Sequence, residues 1–304
     1  MAFKMVAVVG ASGSLGKPIV QALLAAGFKV TAISRETSNS TFPDGVEVRR
    51  ADLTSVEALT KAFAEQDVVV ITVPAQESGN QNQYVDAAVA AGVKRFIPAE
   101  WGFNTRPGKL SPGLASVLGG KTKTVDYLLE QTKAHPSLTW TGIATGTFLD
   151  WGFDRGVYGI NAATKIATIY DSGNEPLSAS TLPFIAQSVV AVLQPQQRAD
   201  QTANRYYDVV EQTFTQNELL RLFEEETGSA FAVTRVSTKD LARARDEKLA
   251  KGDPGAWVLA LCLGTFADGC GQAVEEGDIA NGELGLQGRG LRGIVRDYLR
   301  AKGA

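Results

Sequence analysis

The sequence predicts an α/β protein, a Rossmann-type doubly wound parallel sheet with a smaller, mostly C-terminal α/β lobe, and three observations predict it. Short β-branched runs alternate with helical segments from residue 1 to about 144. A glycine-rich turn joins the first run to the first helix, and beyond Trp151 the alternation loosens with no second turn of that kind. Such alternation is the pattern of parallel strands joined by crossover helices that cover both faces of a sheet.

The elements follow in order. Residues 5–9, 29–34, 46–50, 68–73 and 95–98 read as strands, with 139–144 as a further one. Between them Leu15, Ile19, Leu23 and Ala26, then Val56, Leu59 and Phe63, then Tyr84, Ala88 and Ala91 recur at helical spacing. Gly27 and Gly92 follow two of these helices as C-terminal caps. Residues 103–120 break the rhythm with Pro107, Gly108, Pro112, Gly113 and a glycine pair, and are expected to form a long loop near the strand carboxyl ends. A lid or substrate wall and a plain connector are both open readings of that loop.

Further strands are expected at 166–170, 205–209 and 232–237, and helices at 184–193, 215–227, 240–251, 256–266 and 291–299. The expected division is a dinucleotide-binding domain over 1–155, completed by 183–210, with a substrate lobe built from 156–182 and 211–304.

At 304 residues the chain has room for roughly two domains of about 150 residues each. With 44% hydrophobic and 21% charged residues it reads as an ordinary globular protein, and a net charge of −3 supplies no basic field for nucleic acid. No run approaches the roughly 18 apolar residues of a membrane span, and residues 5–9 pass straight into a glycine loop with no cleavable small-residue site. A cytoplasmic location is therefore expected.

Cys262 and Cys270 lack C-x-x-C spacing and nearby histidine, so they are expected to be buried thiols in a reducing compartment, with no metal site. The single histidine, His135, lies in polar Lys133-Ala-His-Pro-Ser, expected to be a solvated loop. Ser-His-Asp hydrolysis, Cys-His catalysis and histidine-ligated zinc, which need an imidazole in a pocket, are correspondingly disfavoured.

The first strand ends in Gly10-Ala-Ser-Gly13-Ser-Leu-Gly16 and a helix begins near Leu15. Glycine permits positive φ and close approach of the backbone to a pyrophosphate, while the helix N-terminus presents unpaired N–H donors. Gly10, Ser12, Gly13, Ser14, Leu15 and Gly16 are therefore candidate phosphate contacts, and Pro18 in the first helical turn costs no hydrogen bond. The spacing G-x-x-G-x-x-G is that of extended and atypical short-chain dehydrogenases.

The second strand ends Ile33-Ser34-Arg35, where an NAD site would place an acid for the ribose hydroxyls. Ser34 and Arg35 suit a 2′-phosphate instead, so the expected cofactor is NADPH/NADP. Glu36, one residue further on, is the competing feature.

Five more segments carry a specific resemblance: Asp52-Leu53, Thr72-Val73-Pro74-Ala75, Lys94-Arg-Phe-Ile-Pro-Ala-Glu100-Trp-Gly102, the helix led by Lys121, and Thr141 through Phe153. With the glycine loop they resemble, essentially end to end, the isoflavone reductase-like, NmrA-like atypical short-chain dehydrogenases. The family's usual Pro-Ser-Glu-Phe-Gly is here Pro98-Ala99-Glu100-Trp101-Gly102, which loses a hydroxyl and gains an indole. Asp150-Trp151-Gly152 is similar to a branch frequent in filamentous fungi.

The resemblance implies further cofactor contacts at Val73, Pro74, Ala75, Ala99, Glu100, Lys121, Thr145, Gly146 and Phe148, and a small aromatic substrate by analogy. A homodimer is compatible with it, and the substrate and the bond reduced stay open. Two activities are also open: a reductase delivering hydride to an aromatic substrate, and a non-catalytic regulator that senses NADP(H).

Trp101, Phe103, Phe148, Trp151 and Phe153 cluster at the ends of the fifth and sixth strands, as pocket walls for such a substrate or as inter-domain core. The pair Tyr298-x-x-x-Lys302 lies in the final residues and reads as a chance match to the usual short-chain dehydrogenase motif. The isoflavone reductase-like branch uses a lone lysine instead. At about 100° per residue, Lys121 falls on the apolar stripe with Val125, about 40° away, and Leu128, about 20° away, while Lys123 lies opposite. The family's catalytic lysine precedes a Tyr-Leu pair, here Tyr127-Leu128. Lys121, expected at a helix N-terminus whose dipole would depress its pKa, is thus the candidate proton carrier.

Overall fold

The computed structural model describes residues 3–74, 77–194, 200–253 and 255–303. Its first half runs β1 (Met5–Val9), α1 (Gly16–Ala25), β2 (Lys29–Arg35), β3 (Val46–Ala51), α2 (Val56–Phe63), β4 (Val68–Ile71), α3 (Asn82–Ala90), β5 (Arg95–Ile97), α4 (Pro112–Ala134) and β6 (Thr139–Ala144). There follow β7 (Thr147–Phe148), α5 (Leu149–Asp154), β8 (Ile160–Asn161), β9 (Ile166–Tyr170), β10 (Leu177–Ser180), α6 (Leu182–Leu193), β11 (Arg205–Asp208), β12 (Gln212–Phe214) and β13 (Ala232–Val236). Longer helices in the remainder are Gln216–Thr227, Thr238–Ala250, Gly255–Phe266 and Leu291–Lys302.

The main sheet is parallel throughout, in the order β11-β6-β5-β4-β1-β2-β3. Strands buried on both faces must be apolar along their length, and Val6–Val9 and Val68–Ile71 are fully buried. Because β1 has β2 on one side and β4 on the other, the strand order reverses there and a crevice opens beyond the strand carboxyl ends. The seventh strand, β11, comes from the second half of the chain and pairs with β6 from Arg205↔Thr141 to Asp208↔Ala144.

A second hydrophobic core gathers Leu149, Phe153, Tyr158, Ile169, Leu219 and Phe223 against two three-stranded sheets, β12-β10-β7 and β13-β9-β8. Its helix Gln216–Thr227 starts at a capping box in which Thr215 and Glu218 satisfy each other's backbone N–H, and stops at Gly228 in the left-handed conformation.

The segment 103–120 departs from its expected form. It is loop only as far as Ser111, and α4 starts at Pro112, where a missing N–H costs nothing. One of the glycines that suggested a loop, Gly120, serves close packing inside the helix. A Cβ on Gly79 would lie 2.9 Å from the Cα of Gly120, so the chain before α3 crosses α4 at glycine against glycine. Gly264 plays the same part further along, where a Cβ would lie 2.5 Å from Leu114 Cγ.

His135 is exposed at the end of α4, and Cys262 and Cys270 are free and half-buried rather than fully buried. Tyr298 packs its ring 5.0 Å from that of Phe153 and serves the second core, while Lys302 makes a surface ion pair with Asp154 at 2.8 Å. Among the described residues no helix is long and apolar enough to cross a membrane, and no group of metal-ligating side chains is assembled.

Candidate active site

The turn after β1 is built by its glycines. Gly10 has φ +79°, and a Cβ there would lie 2.7 Å from the carbonyl oxygen of Thr72. The Gly13 N–H donates to Gly10 O at 2.9 Å, and a Cβ on Gly16 would lie 2.2 Å from the same oxygen, so α1 begins hard against the turn. Leu15 is buried beneath it, while Gly13 and Ser14 are exposed and Ser12 half-exposed along the rim. No side chain caps α1 and no acid stands in its first turn. The Lys17 N–H turns back to Gly13 O at 3.1 Å, and the positive end of α1 is left without an acidic side chain in its first turn, an arrangement that fits a pyrophosphate.

The Thr72 hydroxyl donates to Val9 O at 2.7 Å and ties the end of β4 to β1. Val73 is half-buried and Pro74 exposed just beyond; Ala75 lies outside the described residues.

At the end of β2, Ser34 is buried and Arg35 exposed, and the Arg35 side chain has no ion-pair partner among the described residues. Its neighbour on β3 was not legible from sequence spacing: Arg50 is the register partner of Ser34, is exposed, and donates from Nε to Ser38 O at 3.2 Å. Two guanidinium groups at one sheet edge fit a phosphate monoester on the adenosine ribose. Glu36 lies beyond the strand, exposed.

Lys121 lies on the inner face of α4, 5% exposed, whereas Lys123 is exposed. It stands in the third turn of the helix and not at its N-terminus, so the helix dipole does not act on it as expected. Burial does: it pushes the Lys121 pKa down, and the Glu100 carboxylate nearby opposes that shift. Its Nζ donates to the Trp101 carbonyl at 2.9 Å, and a Cβ on Gly102 would come 3.7 Å from Nζ.

Glu100 is wholly buried. Its Oε2 accepts from the Thr105 hydroxyl and from the Tyr206 phenol, the latter at 2.7 Å, while Oε1 has no hydrogen-bond partner. Tyr206 approaches along β11 with its ring laid over Gly142, where a Cβ would lie 2.5 Å from Tyr206 Cδ2. Burial and the neighbouring carboxylate hold the phenol well above its ordinary pKa. Tyr206 and Thr105 escaped the sequence reading because a tyrosine in a strand carries no signal of a partner 106 positions away.

Thr145 and Gly146 fix the other side of the site. Their N–H groups donate to Gly102 O at 2.8 and 3.1 Å, and the Thr145 hydroxyl accepts from the Gly102 N–H at 3.1 Å. Gly146, at φ +63°, passes so close to Ser178 that a Cβ would lie 2.1 Å from its carbonyl oxygen. Ala99 is buried, and its N–H donates to Gln81 Oε1 at 2.8 Å.

The aromatic cluster divides. Trp101 is a core residue, 7% exposed, with its indole N–H donating to Ile71 O at 2.7 Å, and Phe153 is buried in the second core against Phe223 and Tyr298. Neither is a free pocket wall, because the ring of each is packed on protein. Phe148 and Trp151 are half-buried and meet edge to face at 6.3 Å, with the Arg155 guanidinium 5.1 Å from the Trp151 ring. Phe103 is half-buried and, with Gly146, lines a cleft of about 240 Å³ between the strand ends and the segment after Gly271.

The NmrA-like family model matches residues 3–250. The chain is 39% identical over 260 residues to "Oxidoreductase poxI" of Penicillium oxalicum, covering 85% of this chain and 81% of that one. A solved binary complex of leucoanthocyanidin reductase with NADPH from Vitis vinifera superposes with TM-score 0.78 at 21% identity, over 97% of this chain and 99% of that one. A solved structure of AtPrR2 with NADP+ and (+)pinoresinol gives TM-score 0.76 at 21% identity, over 98% and 99%. At those identities the two structures speak for the fold.

Proposed function

The chain belongs to the NmrA-like family, and on that premise we propose that it is an NADPH-dependent oxidoreductase that reduces a small aromatic substrate, with Lys121 as the proton carrier. The observation that carries the proposal is the burial of Lys121 at the strand carboxyl ends, beside an equally buried Glu100. A lysine is hardly ever fully buried without a task or a partner, and among the described residues Lys121 Nζ hydrogen-bonds to a main-chain carbonyl alone. The name of the Penicillium relative and the dinucleotides and pinoresinol held by the two solved structures support the same reading.

When bound, NADPH would supply the hydride. The turn from Gly10 to Gly16 and the N-terminus of α1 would hold its pyrophosphate, and Arg35, with Ser34 and Arg50, would meet its 2′-phosphate. Val73, Pro74, Ala99 and the Gly102–Thr145–Gly146 clamp border the crevice towards Lys121. Phe148, Trp151 and Phe103 flank a flat substrate and keep water from its reacting carbon.

As the substrate carbon gains hydride, Lys121 Nζ gives its proton to the atom that gains electron density. Burial makes that proton easier to release, and the Glu100 carboxylate opposes that shift and favours the protonated form. The Trp101 carbonyl aims the ammonium.

The test is NADPH consumption on a panel of aromatic enones, imines and benzylic ethers, by the parent and by Lys121→Met. Consumption by the parent that the variant lacks supports the proposal. NADPH bound tightly yet consumed with no member of the panel would point instead to a regulator that senses the dinucleotide.

A further inference from the structure

Lys121 and Glu100 are buried near enough for their charges to interact, yet they make no hydrogen bond or ion pair with one another. Lys121 Nζ donates to the Trp101 carbonyl and is not among the donors to either Glu100 oxygen: Oε1 has no hydrogen-bond partner, and Oε2 accepts from Thr105 and Tyr206. In a buried site opposite charges attract far more strongly than in water, so a carboxylate free to move would close on the ammonium. The Glu100 side chain must therefore be restrained.

Two hydroxyls supply the restraint. The Tyr206 phenol donates to Glu100 Oε2 at 2.7 Å and the Thr105 hydroxyl donates to the same oxygen, and bonds to a carboxylate are roughly twice as strong as those between neutral groups. Each donor is itself anchored. The Tyr206 ring lies against Gly142, its register partner on β6, where a Cβ would come 2.5 Å from Cδ2. Glycine weakens a strand interior and marks a close approach, which here is that of this ring. Trp140 meets the ring edge to face at 6.5 Å, and the Arg106 guanidinium lies 5.9 Å from its centre. The Thr105 carbonyl accepts from the Thr122 hydroxyl at 3.2 Å, next to the lysine on α4, and the Thr105 N–H approaches the phenol oxygen at 3.5 Å, which leaves the phenol proton for Glu100. The neighbouring charges are engaged elsewhere: Arg106 pairs with Asp126 at 3.1 Å, and Asp208, two residues along β11, accepts from Asn104 at 2.6 Å.

We propose that Tyr206 is a positioning residue, which with Thr105 holds the Glu100 carboxylate off Lys121 Nζ and so leaves the ammonium free to turn from the Trp101 carbonyl to a bound substrate. Neither hydroxyl has to touch that substrate. Without the phenol, one bond fewer holds the carboxylate and it closes on Nζ. A counter-ion in contact raises the pKa of a lysine and competes for its proton. The effect on turnover rests on the reductase reading; the restraint on Glu100 does not.

The test follows Lys121 Nζ against pH by NMR of the full chain carrying isotopically labelled lysine, its resonance identified by its loss in Lys121→Met. Tyr206→Phe removes one oxygen and keeps the ring. It is expected to raise the midpoint of the Nζ titration by roughly one pH unit, a tenfold gain in proton affinity. Thr105→Val, which removes the other donor, should move the midpoint the same way. In a Glu100→Gln background Tyr206→Phe should move it no further, whereas a tyrosine that merely packs would act alike in both. On a substrate that the parent reduces, Tyr206→Phe should also lower kcat with KM nearly unchanged and carry the alkaline limb of kcat/KM to higher pH. A midpoint that stays in place or falls in Tyr206→Phe, or an equal shift with Glu100→Gln present, would overturn the proposal. Because the first readout is protonation, a chain that shows these shifts yet never oxidises NADPH would count against the reductase reading and leave the restraint standing.

Discussion

Lys121 and Glu100 are two buried charges of opposite sign that support one another through space while each hydrogen-bonds elsewhere, Nζ to Trp101 O and the carboxylate to Thr105 and Tyr206. An ammonium that is held by charge and not gripped by its counter-ion is free to turn towards a substrate. Lys121→Met is accordingly expected to bind NADPH normally and to lose at least the roughly 10²-fold of turnover typical of a missing general acid, while Lys123→Met, on the exposed face, turns over like the parent. Comparable turnover by Lys121→Met and the parent would remove Lys121 from the mechanism.

The same pair sets a pH profile. Only the protonated lysine can donate, so kcat/KM should fall as pH rises through the depressed pKa of Lys121. Glu100 opposes the depression, and Glu100→Gln should therefore move that alkaline limb to lower pH. A limb in the same place in both proteins would separate Glu100 from the proton transfer.

Stability carries the opposite sign. With its folded pKa below the unfolded value, Lys121 destabilises the fold fully below that depressed pKa, where its proton must be kept in a buried site. The penalty fades as pH rises from the depressed value towards about 10.4, because the unfolded chain binds the extra proton over that window. Lys121→Met should raise Tm at neutral pH, and calorimetry at increasing pH should show the gain shrinking. A variant that melts below the parent at neutral pH would show that the lysine stabilises the fold.

The inward face of α4 was legible in the sequence because helical spacing alone separates Lys121 from Lys123. The start of the helix was not, since Gly119 and Gly120 weaken a helix locally, and what retains Gly120 is the passage of Gly79 against it, a contact between segments about 40 residues apart. The phosphate turn was readable for the converse reason: Gly10, Gly13 and Gly16 constrain one another within a few residues. Tyr206 stayed hidden because strand pairing between β6 and β11, and not any local pattern, brings it to the site.

Cofactor choice should rest on the edge of β2 and β3. NADPH is expected to bind more tightly than NADH, and Arg35→Ala to remove roughly ten- to hundred-fold of that difference, the scale of one charge-assisted contact. Arg50→Ala should remove a smaller share, because Arg50 already donates to Ser38. Equal affinity of the parent for the two dinucleotides, measured by fluorescence titration, would refute this assignment.

Two tryptophans should part company. Trp101→Ala removes a core indole and its bond to Ile71 O, and should cost about 3–5 kcal/mol of folding free energy. Trp151 is half-buried beside Phe148 in the proposed substrate wall, so Trp151→Ala should raise KM with a much smaller loss of stability. Urea denaturation of both variants beside their kinetics gives the comparison, and similar losses of stability would return Trp151 to the core.

The pairing of β6 with β11 also sets a timetable for biosynthesis. A nascent chain that has emerged from the ribosome through β6 already holds the phosphate turn and Lys121, but the outer edge of β6 is bare and Glu100 lacks the Tyr206 phenol. At about 5–20 residues per second, β11 arrives only after a delay on the order of several seconds. For that interval a parallel edge with unpaired backbone groups is open to wrong partners, and a folding helper that shields it would raise the yield of active protein more than one acting on the finished chain.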